Sequence, residues 1–188
     1  MIHYCPQCGS RTVRREDGGR ERDVCPVCGW VHYAETAGGV GALVLRGERV
    51  LLVERGIPPV GRWTLPSGWI EQEDNLATAV VRELKEETGL DGRPVGIICL
   101  RNIPQAARNE FYICFLCEVD PDAEPIPDGI ESTQARFVRP DEFDAIDLSP
   151  FSRYVIERYM SRRPRPWPLA EDFPYGHAYP NISIFAAF

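Results

Sequence analysis

The stretch Gly68-Trp69-Ile70-Glu71-Gln72-Glu73-Asp74-Asn75-Leu76-Ala77-Thr78-Ala79-Val80-Val81-Arg82-Glu83-Leu84-Lys85-Glu86-Glu87-Thr88-Gly89-Leu90 decides how this chain is read. Leu76–Thr88 reads as a helix, with Asp74 or Asn75 as N-cap and Gly89 where a left-handed residue closes the last turn. At about 100° per residue, with Glu83 set to zero, Glu86 falls near −60° and Glu87 near +40°. Three carboxylates therefore crowd one arc, while Ala77, Val81 and Leu84 form an apolar stripe between roughly +100° and +160°. Like charges at this spacing cost a few tenths of a kcal/mol each in a bare helix, and near its C-terminus they also oppose the macrodipole. Hard oxygen ligands suit Mg²⁺ or Mn²⁺, and such a cation removes the conflict. The competing explanation is a solvated acidic face neutralised by Arg82 and Lys85. The helix therefore offers an apolar stripe to a core and an acidic stripe to something else.

Around this helix, residues 37–162 alternate strand and helix signals. Gly39–Leu45 and Arg49–Glu54 read as a hairpin joined at Arg46-Gly47-Glu48. Trp63–Leu65, Val95–Leu100, Phe111–Val119 and Ala135–Val138 read as further strands, and Pro150–Met160 as a second helix. Strands mixed with two helices, without a regular βαβ alternation, indicate an α+β fold.

Residues 1–36 differ in kind. Cys5-Pro6-Gln7-Cys8-Gly9 and Cys25-Pro26-Val27-Cys28-Gly29 are two C-x₂-C knuckles sixteen residues apart. Four thiolates at this spacing surround one Zn²⁺ tetrahedrally, and the glycine after each pair lets the backbone turn tightly. A closed four-sulfur site leaves no open position for catalysis, so the expected role is a structural staple. The segment carries five arginines against five acidic residues, which gives it no basic face for nucleic acid. Cys114 and Cys117 repeat the spacing inside an apolar strand, where period 2 sends them to opposite faces; with Cys99 they read as core thiols.

The chain has 188 residues and a formal net charge of −7. That balance disfavours bulk attraction to nucleic acid or to an anionic membrane. No apolar run is long enough to span a bilayer and no secretory leader is visible, so a cytoplasmic protein is expected. Residues 163–188 are rich in Pro and aromatics. They suggest a lid, a surface wrap or a dimer arm, and a homodimer is expected.

Gly68, the acidic residue six positions on, and Arg82-Glu83-Leu84-Lys85-Glu86-Glu87-Thr88-Gly89-Leu90 resemble the Nudix box, and Trp63-Thr64-Leu65-Pro66-Ser67-Gly68 resembles the family's approach to it. The resemblance implies an α/β/α sandwich around a mixed sheet. It implies hydrolysis of a nucleoside diphosphate linked to another moiety. It also implies that Glu83, Glu86, Glu87 and the Gly68 carbonyl hold one to three Mg²⁺ ions. Two positions depart from the pattern: Asp74 stands where Glu is usual, and Ser67 where Gly is common. In the family the carboxylate at position 74 anchors the box arginine, here Arg82. Because Asp is one methylene shorter, that contact is direct, water-bridged or absent. For the general base, Glu86 comes first and Glu131, in the loop 127–133, second.

A zinc ribbon followed by a Nudix domain resembles two groups. NADH pyrophosphatases carry a Ser-Gln-Pro-Trp-Pro-Phe-Pro-like signature after the box, and residues 100–108 lack it. A second group hydrolyses ADP-ribose, FAD and related dinucleotides; Ile103-Pro104 and Trp30-Val31-His32-Tyr33 look like its elements. The sequence reading therefore places ADP-ribose or FAD ahead of NADH, NAD or an NAD cap as substrate. Arg55, Arg62, Arg101 and Gln105 are the candidate substrate contacts. A non-catalytic nucleotide sensor is the alternative of another class; intact box glutamates speak against it.

Overall fold

The computed structural model describes residues 2–33, 35–104, 109–169 and 185–186. Gln105, His177 and the tail aromatics Phe173, Tyr175, Tyr179 and Phe188 lie outside these residues.

The cysteine-rich segment forms a hairpin of β1 (Val13–Asp17) and β2 (Arg20–Val24) between its two knuckles. The low aliphatic content of these strands hid them from pattern reading. Gly9 and Gly29 adopt φ of 71° and 77°, so each knuckle uses a left-handed turn that a Cβ would strain.

The larger unit is a seven-stranded mixed sheet. Its strands are β3 (Thr36–Arg46), β4 (Arg49–Arg55), β5 (Trp63–Thr64), β6 (Ser67–Trp69), β7 (Gly92–Pro104), β8 (Asn109–Val119) and β9 (Ser132–Val138). The main path runs β5-β4-β3-β8-β7, with β6 added to β3 and β9 to β4. β3 and β8 are parallel; the other pairs are antiparallel. β3 pairs with β4 only at Leu45↔Val50 and Arg46↔Arg49, then with β6 from Gly41 to Gly39. β3 thus exchanges β4 for β6 along its length, and β6 brings Ser67 and Gly68 against the Glu87 and Glu83 carboxylates.

Helices α1 (Leu76–Thr88) and α2 (Pro150–Arg162) cover opposite faces. Val40, Ala42 and Val44 of β3 pack with Leu51, Phe115 and Cys117 against Ala79, Val80 and Leu84 of α1. The alternate residue Leu43 packs with Val50, Leu52, Cys114 and Val138 against Val155, Ile156 and Tyr159 of α2. Period 2 along the strands thus fills two cores from one sheet, giving the expected α/β/α sandwich. Cys114 and Cys117 fall in the two different cores, and neither is in a disulfide.

Pro140–Ala145 forms a 3-10 helix. After α2 the chain turns back along β7: the Ile97 and Trp167 backbones exchange hydrogen bonds of 2.9 Å. Phe185 meets the Phe115 ring edge-on at 5.1 Å between centroids. The described part of the tail therefore wraps its own sheet. No helix among the described residues is long and apolar enough to cross a membrane.

Candidate active site

The site begins with the entry to α1. The Asn75 side chain accepts from the N–H groups of Ala77 and Thr78, both at 3.0 Å, and Thr78 Oγ1 accepts from Asn75 N–H. Asn75 is thus the cap, which leaves Asp74 for another task. Asp74 Oδ2 accepts from Arg82 Nε at 3.1 Å and from Nη2 at 2.8 Å, so the shorter acid makes a direct contact. The same guanidinium donates to the Trp69 carbonyl at 2.9 Å, to Glu83 at 2.8 Å and to Glu86 at 3.0 Å. One arginine therefore ties β6, the loop behind it and two box glutamates together with charge-assisted bonds.

The helix does not divide into an apolar and an acidic stripe as the wheel suggested. Glu83 and Glu87 are 6% and 4% exposed, inside the buried arc bounded by Ala79 and Thr88. Glu86 alone is solvated, its side chain 57% exposed. The wheel misses this because β6 packs against the helix, with Ser67 on Glu87 and Gly68 on Glu83. Glu87 accepts from the Ser67 N–H at 2.7 Å. An added Cβ at Gly68 would overlap the Glu83 carboxylate, so any larger residue here obliges that side chain to move. Gly68→Ala should displace that carboxylate and lower turnover on the order of a hundredfold, with far less effect on thermal unfolding. Unchanged kcat/KM in the alanine variant would rule out this packing as a determinant of the site.

Burial pushes the Glu87 carboxyl up to about 8; the Ser67 N–H opposes the shift, and the neighbouring Glu83 charge adds to it. Burial also raises Glu83, against the pull of Arg82. The negative field of Glu131 adds to both shifts, which puts this loop residue within electrostatic reach of the helix. Hard oxygen donors at this density, costly to ionise together, suit a divalent cation such as Mg²⁺ or Mn²⁺.

Glu83, Glu86, Glu87, Glu131, Gly68, Arg82 and Arg55 all line one cleft of ≈ 530 Å³. Glu131 arrives on a loop held by Asp128, whose carboxylate accepts from the N–H groups of Ile130, Glu131 and Ser132 at 2.8–3.2 Å. Its carbonyl accepts from Gly56 N–H at 2.8 Å, which fixes it beside Arg55. Sequence reading missed Asp128, although an Asp followed by Gly at a turn is a recognisable signal. It also missed Trp69, Ile57 and Tyr112, which complete the cleft wall. Nothing in their spacing marks them, because they come from three separate elements.

Neither Arg62 nor Arg101 lines this cleft, which corrects the expectation for both. Arg62 pairs with Asp147 at 3.2 Å. Arg101 stacks over the Phe151 ring at 4.1 Å and the Tyr112 ring at 5.1 Å. Gln105 lies outside the described residues.

In the first segment, Cys5, Cys8, Cys25 and Cys28 place their sulfurs within 4.8 Å of one another. Cys5–Cys28 and Cys8–Cys25 are 3.6 and 3.5 Å apart. A tetrahedron with Zn–S bonds of about 2.3 Å has edges of roughly 3.8 Å, so the cluster suits Zn²⁺.

The model of the NUDIX domain matches residues 35–159, and the zinc-ribbon model described as "Nudix N-terminal" matches residues 3–34. The chain belongs to the Nudix family. It is 30% identical over 168 residues to the NAD-capped RNA hydrolase NudC of Stutzerimonas stutzeri, covering 88% of this chain and 59% of that protein. The protein of the same name from Pseudomonas aeruginosa is 29% identical over 85% of this chain and 56% of its own. This Nudix chain thus spans somewhat over half the length of these curated relatives. Among solved structures, a NUDIX hydrolase from Nitrosomonas europaea superposes with a TM-score of 0.77 at 29% identity, covering 88% of this chain and 95% of that one.

Proposed function

We propose that this Nudix chain hydrolyses the pyrophosphate bond of a dinucleotide, with an NAD-type dinucleotide, free or as an RNA cap, as first substrate class. The observation that carries the reaction is the convergence of Glu83, Glu86, Glu87 and Glu131 on one cleft beside Arg55. The NAD preference rests on the names of the relatives, and it reverses the order that the sequence reading gave. ADP-ribose or FAD remains the second reading, because residues 100–108 lack the NADH-pyrophosphatase signature.

Glu83, Glu86, Glu87 and the Gly68 carbonyl would hold Mg²⁺ or Mn²⁺, which neutralises pyrophosphate oxygens and acidifies water. Arg55, which lines the same cleft, would meet phosphate oxygens. Trp69 and Ile57 offer apolar surface to a base or a nicotinamide ring. We infer Glu131 as general base ahead of Glu86. One Glu86 carboxylate oxygen is already held by Arg82 at 3.0 Å, so it is engaged before a water arrives. Glu131 has no such partner among the described residues. Residues 1–36 would form a Zn²⁺-stapled module, 37–162 the hydrolase domain and 163–188 a tail whose described part lies on the sheet; a homodimer remains part of this reading.

A product-resolved turnover screen over NADH, NAD, ADP-ribose, FAD and NAD-capped RNA, with and without Mg²⁺, tests this. Mg²⁺-dependent release of AMP, or of 5′-monophosphate RNA from the capped substrate, with the highest kcat/KM on an NAD-type compound is expected. Highest kcat/KM on ADP-ribose or FAD would restore the earlier order. Binding without turnover across the panel would favour a nucleotide sensor.

A further inference from the structure

We propose that the outer face of α2 and the segment after it form a second binding groove, which takes a single-stranded polynucleotide. Residues 153–167 carry five arginines against the single acidic residue Glu157. Arg153 is paired with Asp144 at 2.7 Å and with Glu157 at 3.6 Å. Among the described residues, Arg158, Arg162, Arg163 and Arg165 have no carboxylate partner; Arg158 lies over the Tyr154 ring at 5.4 Å and Arg163 over the Tyr159 ring at 5.8 Å. This excess sits on a chain of net charge −7, yet charges separated by more than about 10 Å are largely screened at ordinary ionic strength. The local balance therefore governs what this face attracts, and the chain-wide charge does not.

The arginines border a shaped surface. Tyr154, Arg158, Tyr159 and Arg162 of α2 face Cys99 of β7 and Pro164 across a groove of ≈ 370 Å³. A depression of ≈ 170 Å³ shares Ile98 and Cys99 with it and continues to Arg165 and Trp167. No carboxylate lines either one among the described residues, in contrast to the acidic cleft. Tyr154 and Trp167 are 56% and 52% exposed. Two backbone bonds to Ile97 fix the main chain at Trp167, so its exposed indole is anchored at this edge of the groove. Cations that track a backbone, interleaved with rings that accept any base face, are the chemistry of single-strand binding. The rings border a concavity rather than a protruding apolar tip, which favours inserted bases over a lipid surface.

The groove is distinct from the acidic cleft, since α2 packs on the sheet face opposite α1. The two surfaces meet through β7: next to the groove residue Leu100, Arg101 covers the ring of Tyr112, and Tyr112 lines the cleft. The inference rests on the dinucleotide reading only for its consequence, that a polynucleotide carrying the reacting dinucleotide at its end is held here.

Fluorescence anisotropy with a short, unstructured, labelled RNA in EDTA tests the groove without turnover. The wild type should bind, with affinity that falls steeply as salt rises, and a duplex of the same sequence should bind more weakly. The double variant Arg158→Glu/Arg162→Glu should lose about tenfold or more in affinity. Arg158→Gln/Arg162→Gln should lose less, and Trp167→Ala should lose affinity with little change in salt slope. Turnover of free dinucleotide should be unchanged in all three, which reports both folding and an intact cleft. No RNA binding by the wild type, unchanged binding in the charge-reversed variant, or tighter binding to anionic vesicles than to RNA would overturn the proposal. Absent dinucleotide turnover alongside intact, variant-sensitive RNA binding would instead sink the hydrolase reading and leave the groove standing.

Discussion

Glu87→Gln should lower Mg²⁺-dependent turnover on the order of a hundredfold or more while the fold persists. It should also change the stability of the metal-free protein in the opposite sense. The Glu87 carboxyl is pushed from 4.5 up to about 8 by burial. Between those values the folded state keeps a proton that the unfolded chain has released, so wild-type stability falls as pH rises through that window. Glutamine keeps the shape and cannot ionise. Unfolding in EDTA should therefore show a variant whose advantage grows between about pH 5 and about pH 8, to on the order of a few kcal/mol at the upper end. Mg²⁺ should reverse the ranking near pH 8, because it stabilises the ionised wild-type carboxylate cluster and binds the variant weakly. Full turnover in the variant, or parallel stability curves in EDTA, would remove Glu87 from the metal-holding set.

Cys25→Ser should release one equivalent of Zn²⁺ and unfold the first segment while the sheet stays folded. Cys25 is 1% exposed, and its sulfur lies 3.5 Å from that of Cys8. Binding a structural zinc supplies on the order of 10 kcal/mol to small modules of this kind, more than so short a segment gains from burial. Neither core cluster draws a buried residue from before Val40, so the two helices and the mixed sheet do not need the metal. Zinc titration with a chromogenic chelator and limited proteolysis read the two effects separately: cleavage confined to residues 2–33, with a protected remainder. A variant that retains its zinc, or one in which α1 and the sheet are digested at the same rate as the knuckles, would refute the staple.

Much of this was legible because it is local. The bounds of α1, its glycine stop and the hairpin at Gly47 depend on neighbours within a turn or two, where capping and turn chemistry act. The knuckles carry four ligands of one metal in two short words. Even the choice of Asn75 over Asp74 as cap follows once Arg82 is seen to need a partner.

The site was legible only in part. A wheel drawn on α1 cannot show that β6 packs against it, so it does not reveal that two of the three glutamates are buried. Asp128, Trp69 and Tyr112 come from a loop and from strands far apart in the chain, and no spacing links them. Arg62 and Arg101 were plausible as free cations; Asp147 occupies one and the Phe151 ring covers the other.

The sequence alone determined the family box, the thiolate tetrad and the alternation that fills two cores, because these are set by side-chain identity at short range. Only the tertiary structure decided which carboxylates are buried and which arginines are left without a carboxylate partner. Burial and ion pairing are properties of surfaces brought together by the sheet, and they set both proton affinity and the charge a face presents.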